Sequence, residues 1–283
     1  MSASGDGFRF ANQGTGIAAQ LEGGIRGLLI DTHEGVATRK GVYTVLSRGE
    51  KSREKIKAAI GASAYAAALA VRAAIGYRGG GEAELYLCHG FCELGSSLAV
   101  EDFRAIREFL RAHSGEVVLV SVEDDTSPRA LAQAVERSGL LPLVWKGSVS
   151  PLPTLGEMVA RGQRVLFMAE NDAGGVPWLH RQFDLAQETP FDFKKPAELL
   201  GPRGCAPNRG GKEPPLLLIN MFLASFPPSV REARELNGRA TVLDHARACM
   251  AERHRVPTLI AVDHWEVGDV VGAARELDEQ PAG

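Results

Sequence analysis

The sequence predicts an α/β fold, a parallel sheet or a β/α barrel, and three observations carry that prediction. Six short apolar, β-branched runs recur along the chain. Stretches of helical period with recognisable caps lie between them. The runs close on acidic, amide or histidine side chains at or near their carboxyl ends. With 283 residues, 45% of them hydrophobic, the chain can bury a sizeable core as one domain, 1–283.

The first run is GIRGLLID, 24–31. It is followed by a long excursion, 38–82, read as an inserted helical segment: the mixed-charge RGEKSREKIK leads into the Ala-rich ASAYAAALAVRAAIGY and ends in the glycines at 79–81. A surface helix packed through its Ala face is preferred there over a helix lying on a membrane. EAELYLCH, 82–89, is the second run. EDFRAIREFLRAH then places Phe103, Ile106 and Leu110 on one helical face. EVVLVSVE, 116–123, is the third run, and Ser127-Pro128 reads as an N-cap with proline at the first helical position, stopped at Gly139. Thr154 with Glu157 forms a capping box ending at Gly162, ahead of QRVLFMAE, 163–170. Residues 171–215, rich in Gly, Pro and Asn, read as a loop lining a site. PPLLLINM, 214–221, a second capping box at Ser229 and Glu232 ending at Gly238, and PTLIAVDH, 257–264, complete the pattern.

Composition removes several function classes. A net charge of −3, from 32 basic and 35 acidic residues spread along the chain, offers nucleic acid no basic surface. No apolar window is long enough to span a bilayer, and MSASGDGFRFANQG lacks the basic start and apolar stretch of an export signal. The motif C-H-G-F-C resembles a metal knuckle, but no second Cys or His pair completes four ligands. Two disulfides, Cys88 with Cys92 and Cys205 with Cys249, are the preferred pairing, and four buried free thiols weigh equally against it.

Chemistry is expected at the carboxyl ends of the strands, because a parallel barrel gathers its loops over one mouth. Asp31, His89, Glu123, Glu170, Asn220 and Asp263 occupy those ends. Each alone is ordinary loop chemistry; six together point to a site.

A run carrying G-x-R-x-x-x-x-D, a later one ending H-G, and a third ending S-V-E-D resemble the X domain of phosphatidylinositol-specific phospholipase C and its bacterial phosphodiesterase relatives. The likeness continues through PTLGEMV before RVLFMAEN and the closing LIAVDHWEVGDVV. It implies a distorted TIM barrel of the phospholipase C-like phosphodiesterase type, lacking its first strand in this chain, and a phosphoric diester hydrolase working by acid-base catalysis. His89 matches the general acid, and Asp263 the carboxylate that orients the general base. Asp31 and Glu123 match ligands for Ca²⁺ or contacts to the substrate phosphate, while a third ligand position is Leu29. Glu170 stands where a basic head-group contact is usual, and with Asn220 is assigned to the substrate. The base itself belongs to a T-H-N-S type motif that would fall just before Met1, so an upstream segment with an export signal, the first strand and the base is expected. His33 is the least implausible substitute. The implied partners are a phospholipid or other phosphodiester and a peripheral membrane surface, with no nucleic acid, and the implied location is extracytoplasmic. The alternatives are a catalytically inactive lipid- or phosphate-binding protein, or a glycerophosphodiester phosphodiesterase; for the latter the expected E-x-D reads Leu29-Ile30-Asp31.

Overall fold

Strands form where the apolar runs lie, and alternation of side chains along them sets two layers. The computed structural model describes residues 8–46, 54, 57–58, 61–212 and 214–279. The strands are β1 (Gly27–Thr38), β2 (Gly41–Thr44), β3 (Ala83–Leu87), β4 (Ser97–Leu98), β5 (Val118–Asp124), β6 (Val165–Ala169), β7 (Leu179–Arg181), β8 (Ala186–Glu188), β9 (Leu216–Asn220) and β10 (Leu259–Ala261). β1, β5, β6 and β7 run parallel in one sheet, and β8, β9 and β10 run parallel in another. Leu119, Leu166, Met168, Leu216 and Leu259 from both sheets meet in one apolar cluster, so the sheets are staves of one distorted β/α barrel.

The opposite faces of the same strands pack outward. Leu28, Ile30, Val118, Val120, Val122 and Phe167 are buried against the helical layer. The main helices are α1 (Ile17–Glu22), α2 (Ala62–Ile75), α3 (Ala99–Ala112), α4 (Pro128–Arg137), α5 (Leu155–Arg161), α6 (Val230–Leu236), α7 (Arg239–Arg253) and α8 (Val270–Asp278). α3 buries Phe103, Ile106 and Leu110 as its spacing predicts, each contributing roughly 1.5–3 kcal/mol of apolar burial. Ser127 accepts from the Ala130 amide to start α4, and the capping box of Thr154 and Glu157 starts α5.

Three expectations change. β1 does not stop at residue 31. It continues to Thr38 because β2 and β3 supply antiparallel partners above the barrel rim, so the 38–82 excursion opens as a hairpin before it becomes helical. Residues 171–215 are more than a loop: β7, β8 and three short helical turns, Gln182–Leu185, Pro196–Leu199 and Pro202–Cys205, lie within them, too short to show a period. At Ser229 only half the capping box forms, since the Glu232 carboxylate takes the Ser225 hydroxyl at 2.9 Å, and Gly238 opens α7 after α6 has ended at Asn237.

Along its first half β1 pairs with β5 on one side only. On the other side it faces β10 across a cleft of about 690 Å³ lined by Leu29, Leu119, Leu259, Val262, Gln13 and Trp265. Among the described residues no ladder joins β1 to β10.

Candidate functional site

Pleating decides what the barrel mouth contains. Leu28 and Ile30 point to the helices, so Asp31 points inward; Val122 points outward, so Glu123 points inward. Asp31 and Glu123 are register partners across β1 and β5. Glu170, one step past the Val122–Ala169 pair, continues the row across β6. Three carboxylates from three adjacent strands thus stand at one level.

His89 reaches that row from an unexpected direction. β3 is antiparallel to β1, so it descends to the rim rather than rising to it. A buried apolar run does not reveal its own polarity, so the alternation of strands and helices predicts this strand as one of the parallel set. The descent brings the Cys88 amide to the Asp31 carbonyl at 3.3 Å and His89 Nδ1 to Asp31 Oδ2 at 3.0 Å. Phe226 stacks on the imidazole with ring centroids 5.7 Å apart. Burial works against the charged ring, but the Asp31 hydrogen bond and the negative charges of Asp31, Glu123 and Asp263 outweigh it and hold the His89 pKa above its ordinary value.

Asp263 follows β10 and is buried. Burial pushes its carboxyl pKa up, opposed by a hydrogen bond from Asn12 Nδ2 to Oδ1 at 2.9 Å and by the nearby His89 charge. The segment 12–13 braces this corner: the Gln13 amide donates to the Val262 carbonyl at 2.7 Å, and the Trp265 amide donates to Gln13 Oε1 at 2.9 Å. The structure therefore gathers Asp31, His89, Glu123 and Asp263 into one electrostatic neighbourhood at the mouth.

Glu170 carries a partner that the sequence reading missed. Arg209, from the stretch after β8, donates to Glu170 Oε2 at 2.6 Å and to Glu188 Oε1 at 2.5 Å. Its guanidinium lies 4.6 Å from the Phe183 ring centroid and 4.9 Å from that of Phe191. Burial raises the Glu170 pKa and Arg209 opposes the rise. A basic group thus stands beside position 170, supplied from 39 residues further along the chain. No periodicity marks such a residue. Asn220 is buried and donates its side-chain amide to the Thr189 carbonyl at 2.7 Å, which ties β9 to the end of β8. His33, two residues beyond Asp31, is buried with Nε2 3.8 Å from Asp125.

Cys88 and Cys92 are disulfide-bonded on either side of His89, and Cys205 is bonded to Cys249, which removes the metal-knuckle and free-thiol readings. As hard oxygen donors in register, Asp31 and Glu123 suit a cation such as Ca²⁺, although they are two groups for an ion that takes roughly six to eight oxygens.

Comparison with known proteins adds independent information. The profile of the family described as PI-PLC X matches residues 78–278. An uncharacterized secreted protein of Arthroderma benhamiae is 24% identical over 216 residues, covering 68% of this chain and 49% of that protein. PI-PLC X domain-containing protein 1 of the same fungus is 25% identical over 214 residues, covering 68% of each. The chain thus spans about half the length of the former relative. Among solved structures, the phosphatidylinositol-specific phospholipase C of Listeria monocytogenes superposes with a TM-score of 0.51 at 15% identity, covering 99% of this chain and 89% of that one. A variant of the Staphylococcus aureus enzyme gives 0.52 at 12% identity, covering 98% and 87%. The fold is the one those bacterial proteins share.

Proposed function

This chain belongs to the PI-PLC X family, and from that premise we propose that it is a phosphoric diester hydrolase acting on a phospholipid or a related phosphodiester. The observation that carries the reading is the His89–Asp31 pair, set in a ring of carboxylates that favours the protonated imidazole. Asp31 engages Nδ1, leaving Nε2 to donate. As a neighbouring hydroxyl of the substrate attacks phosphorus, the bond to the departing oxygen breaks and that oxygen takes the His89 proton. The family match favours this chemistry over that of a glycerophosphodiester phosphodiesterase.

The base that removes the hydroxyl proton is assigned to a strand that would seat between β1 and β10. Its carboxyl end would emerge beside Asp263, whose carboxylate is already aligned by Asn12. Asp31, Glu123, Glu170, Glu188 and Asp263 outnumber Arg209 and His89 at the mouth, so an anionic phosphodiester needs further positive charge to enter. Asp31 and Glu123 would hold Ca²⁺, which when bound offsets phosphate charge, and water and substrate would complete its shell. Glu170, Arg209 and Asn220 are assigned to the substrate side of the mouth. Two disulfides and a relative described as secreted support an extracellular location, with contact to a membrane surface only at its periphery and no role for nucleic acid.

The test compares this chain with an in-frame, upstream-extended form on phosphatidylinositol vesicles and on a chromogenic phosphodiester, with Ca²⁺ and with EDTA. The extended form should exceed the shorter one by about 10² to 10⁴ in rate, and His89→Ala should abolish the difference. Vesicle binding without turnover, unchanged by His89→Ala, would make the protein a catalytically inactive lipid-binding relative instead.

A further inference from the structure

The loop that carries His89 is clamped from outside the barrel, by the segment inserted between β1 and β3. On one side of His89 the Cys88 amide donates to the Asp31 carbonyl, and on the other the chain turns through Cys92–Leu94. Glu93 in that turn is the anchor. Its side chain has no exposure to solvent, and it accepts hydrogen bonds from Arg72 Nη1 at 2.5 Å, from the Thr44 amide at 3.0 Å and from the Thr44 hydroxyl. The Thr44 hydroxyl oxygen in turn accepts from the Cys92 amide at 2.9 Å. Arg72 lies on α2, its guanidinium 3.7 Å from the Tyr43 ring centroid on β2. Phe91, one residue past Gly90, is buried against Ala64 and Ala68 of α2, with Tyr65 5.6 Å away.

We propose that Arg72 and Glu93 are positioning residues that set the His89 imidazole against Asp31, which makes the 38–82 insertion part of the catalytic apparatus; this deepens the hydrolase reading above and rests on it. A buried carboxylate tolerates little displacement of its donors, because losing one leaves charge uncompensated in a dry site. Glu93 therefore transmits the position of α2 and β2 to residues 92–94, and the Cys88–Cys92 bond carries it across the loop. His89 has little slack: a shift of about 1 Å would take Nδ1 and Asp31 Oδ2 out of hydrogen-bond range. Its other charged neighbours, Glu123 and Asp263, sit on the barrel and do not move with the insertion.

Arg72→Met keeps most of the side-chain volume and removes the charge. Two measurements read it: the ring Nδ1–H resonance of His89, which reports its hydrogen bond to Asp31, by ¹H–¹⁵N correlation NMR in this chain at one fixed pH, and kcat with KM in the upstream-extended form. The Nδ1–H resonance should broaden and move upfield as that hydrogen bond lengthens, and kcat should drop about 10- to 100-fold with KM held within about twofold. Arg72→Lys should restore part of both. An unchanged Nδ1–H resonance and kcat, with only the melting temperature lowered, would overturn the proposal. Should Arg72→Met fail to fold, Thr44→Val removes one donor from the same carboxylate and is read by the same two criteria. If the extended wild type turns over no phosphodiester, the hydrolase reading fails, while the Nδ1–H resonance still decides whether Arg72 positions His89.

Discussion

At the scale of the residue, the site is an argument about one proton. Burial opposes the charged form of His89, and a single hydrogen-bonded carboxylate with two further acids in support outweighs it and raises the pKa. Asp31→Asn keeps the shape and removes the charge, so the His89 pKa should fall. The sign follows directly: the acid must be protonated to act, and a lower pKa moves the alkaline limb of the kcat/KM profile to lower pH. We expect that limb at lower pH and a loss of roughly 10-fold or more at pH 7.5, measured on the upstream-extended form; an unmoved limb would assign the titration to another group. Arg209 illustrates a different residue-scale principle. Between Glu170 and Glu188, with Phe183 and Phe191 beside its guanidinium, it is fixed before any ligand arrives, so it offers charge at little cost in side-chain entropy.

At the scale of the element, two short cross-links do different work. Cys205–Cys249 closes a separation of 44 residues, tying the stretch after β8 to α7, whereas Cys88–Cys92 closes only 4 and brackets His89. The chain-entropy argument assigns roughly 4 kcal/mol to the long loop and roughly 2 kcal/mol to the short one. Replacing both cysteines of a pair by serine should therefore lower the urea midpoint more for Cys205 and Cys249. The order should reverse for turnover, since only the short bond constrains the loop that carries His89. Equal losses of stability and activity in the two variants would show that both are scaffold alone. The antiparallel placement of β3 is the other element-scale decision: its descent is what lets an imidazole from residue 89 meet a carboxylate from residue 31.

At the scale of the whole molecule, no ladder among the described residues joins β1 to β10 or β7 to β8, and a cleft lies between the first pair. Both edges border the cleft, and its walls include Leu29, Leu119, Leu259 and Val262. An extended strand would pair with both edges and bury those walls, removing two exposed ladders at once. The upstream-extended form should therefore melt higher than this chain by about 5–10 °C, and amides of residues 27–31 and 259–261 should gain protection from hydrogen exchange. Unchanged protection at both edges would sink the strand-insertion idea, whatever the assay of activity shows.

Sequence alone determined the α/β class, the positions of the main buried strands, the caps at Ser127 and Thr154, and the acids and imidazole that close the runs, because each is written in local periodicity or in adjacent residues. It also pointed to the family, through motifs that span a few residues each. Only the tertiary structure decided the polarity of β3, the pairing of Arg209 with Glu170, the alignment of Asp263 by Asn12 and the clamp of α2 on Glu93. Those contacts join residues between 21 and 251 positions apart. Which distant side chains meet is set by how the sheets curve and where each loop returns, and no short-range pattern of hydrophobicity encodes that.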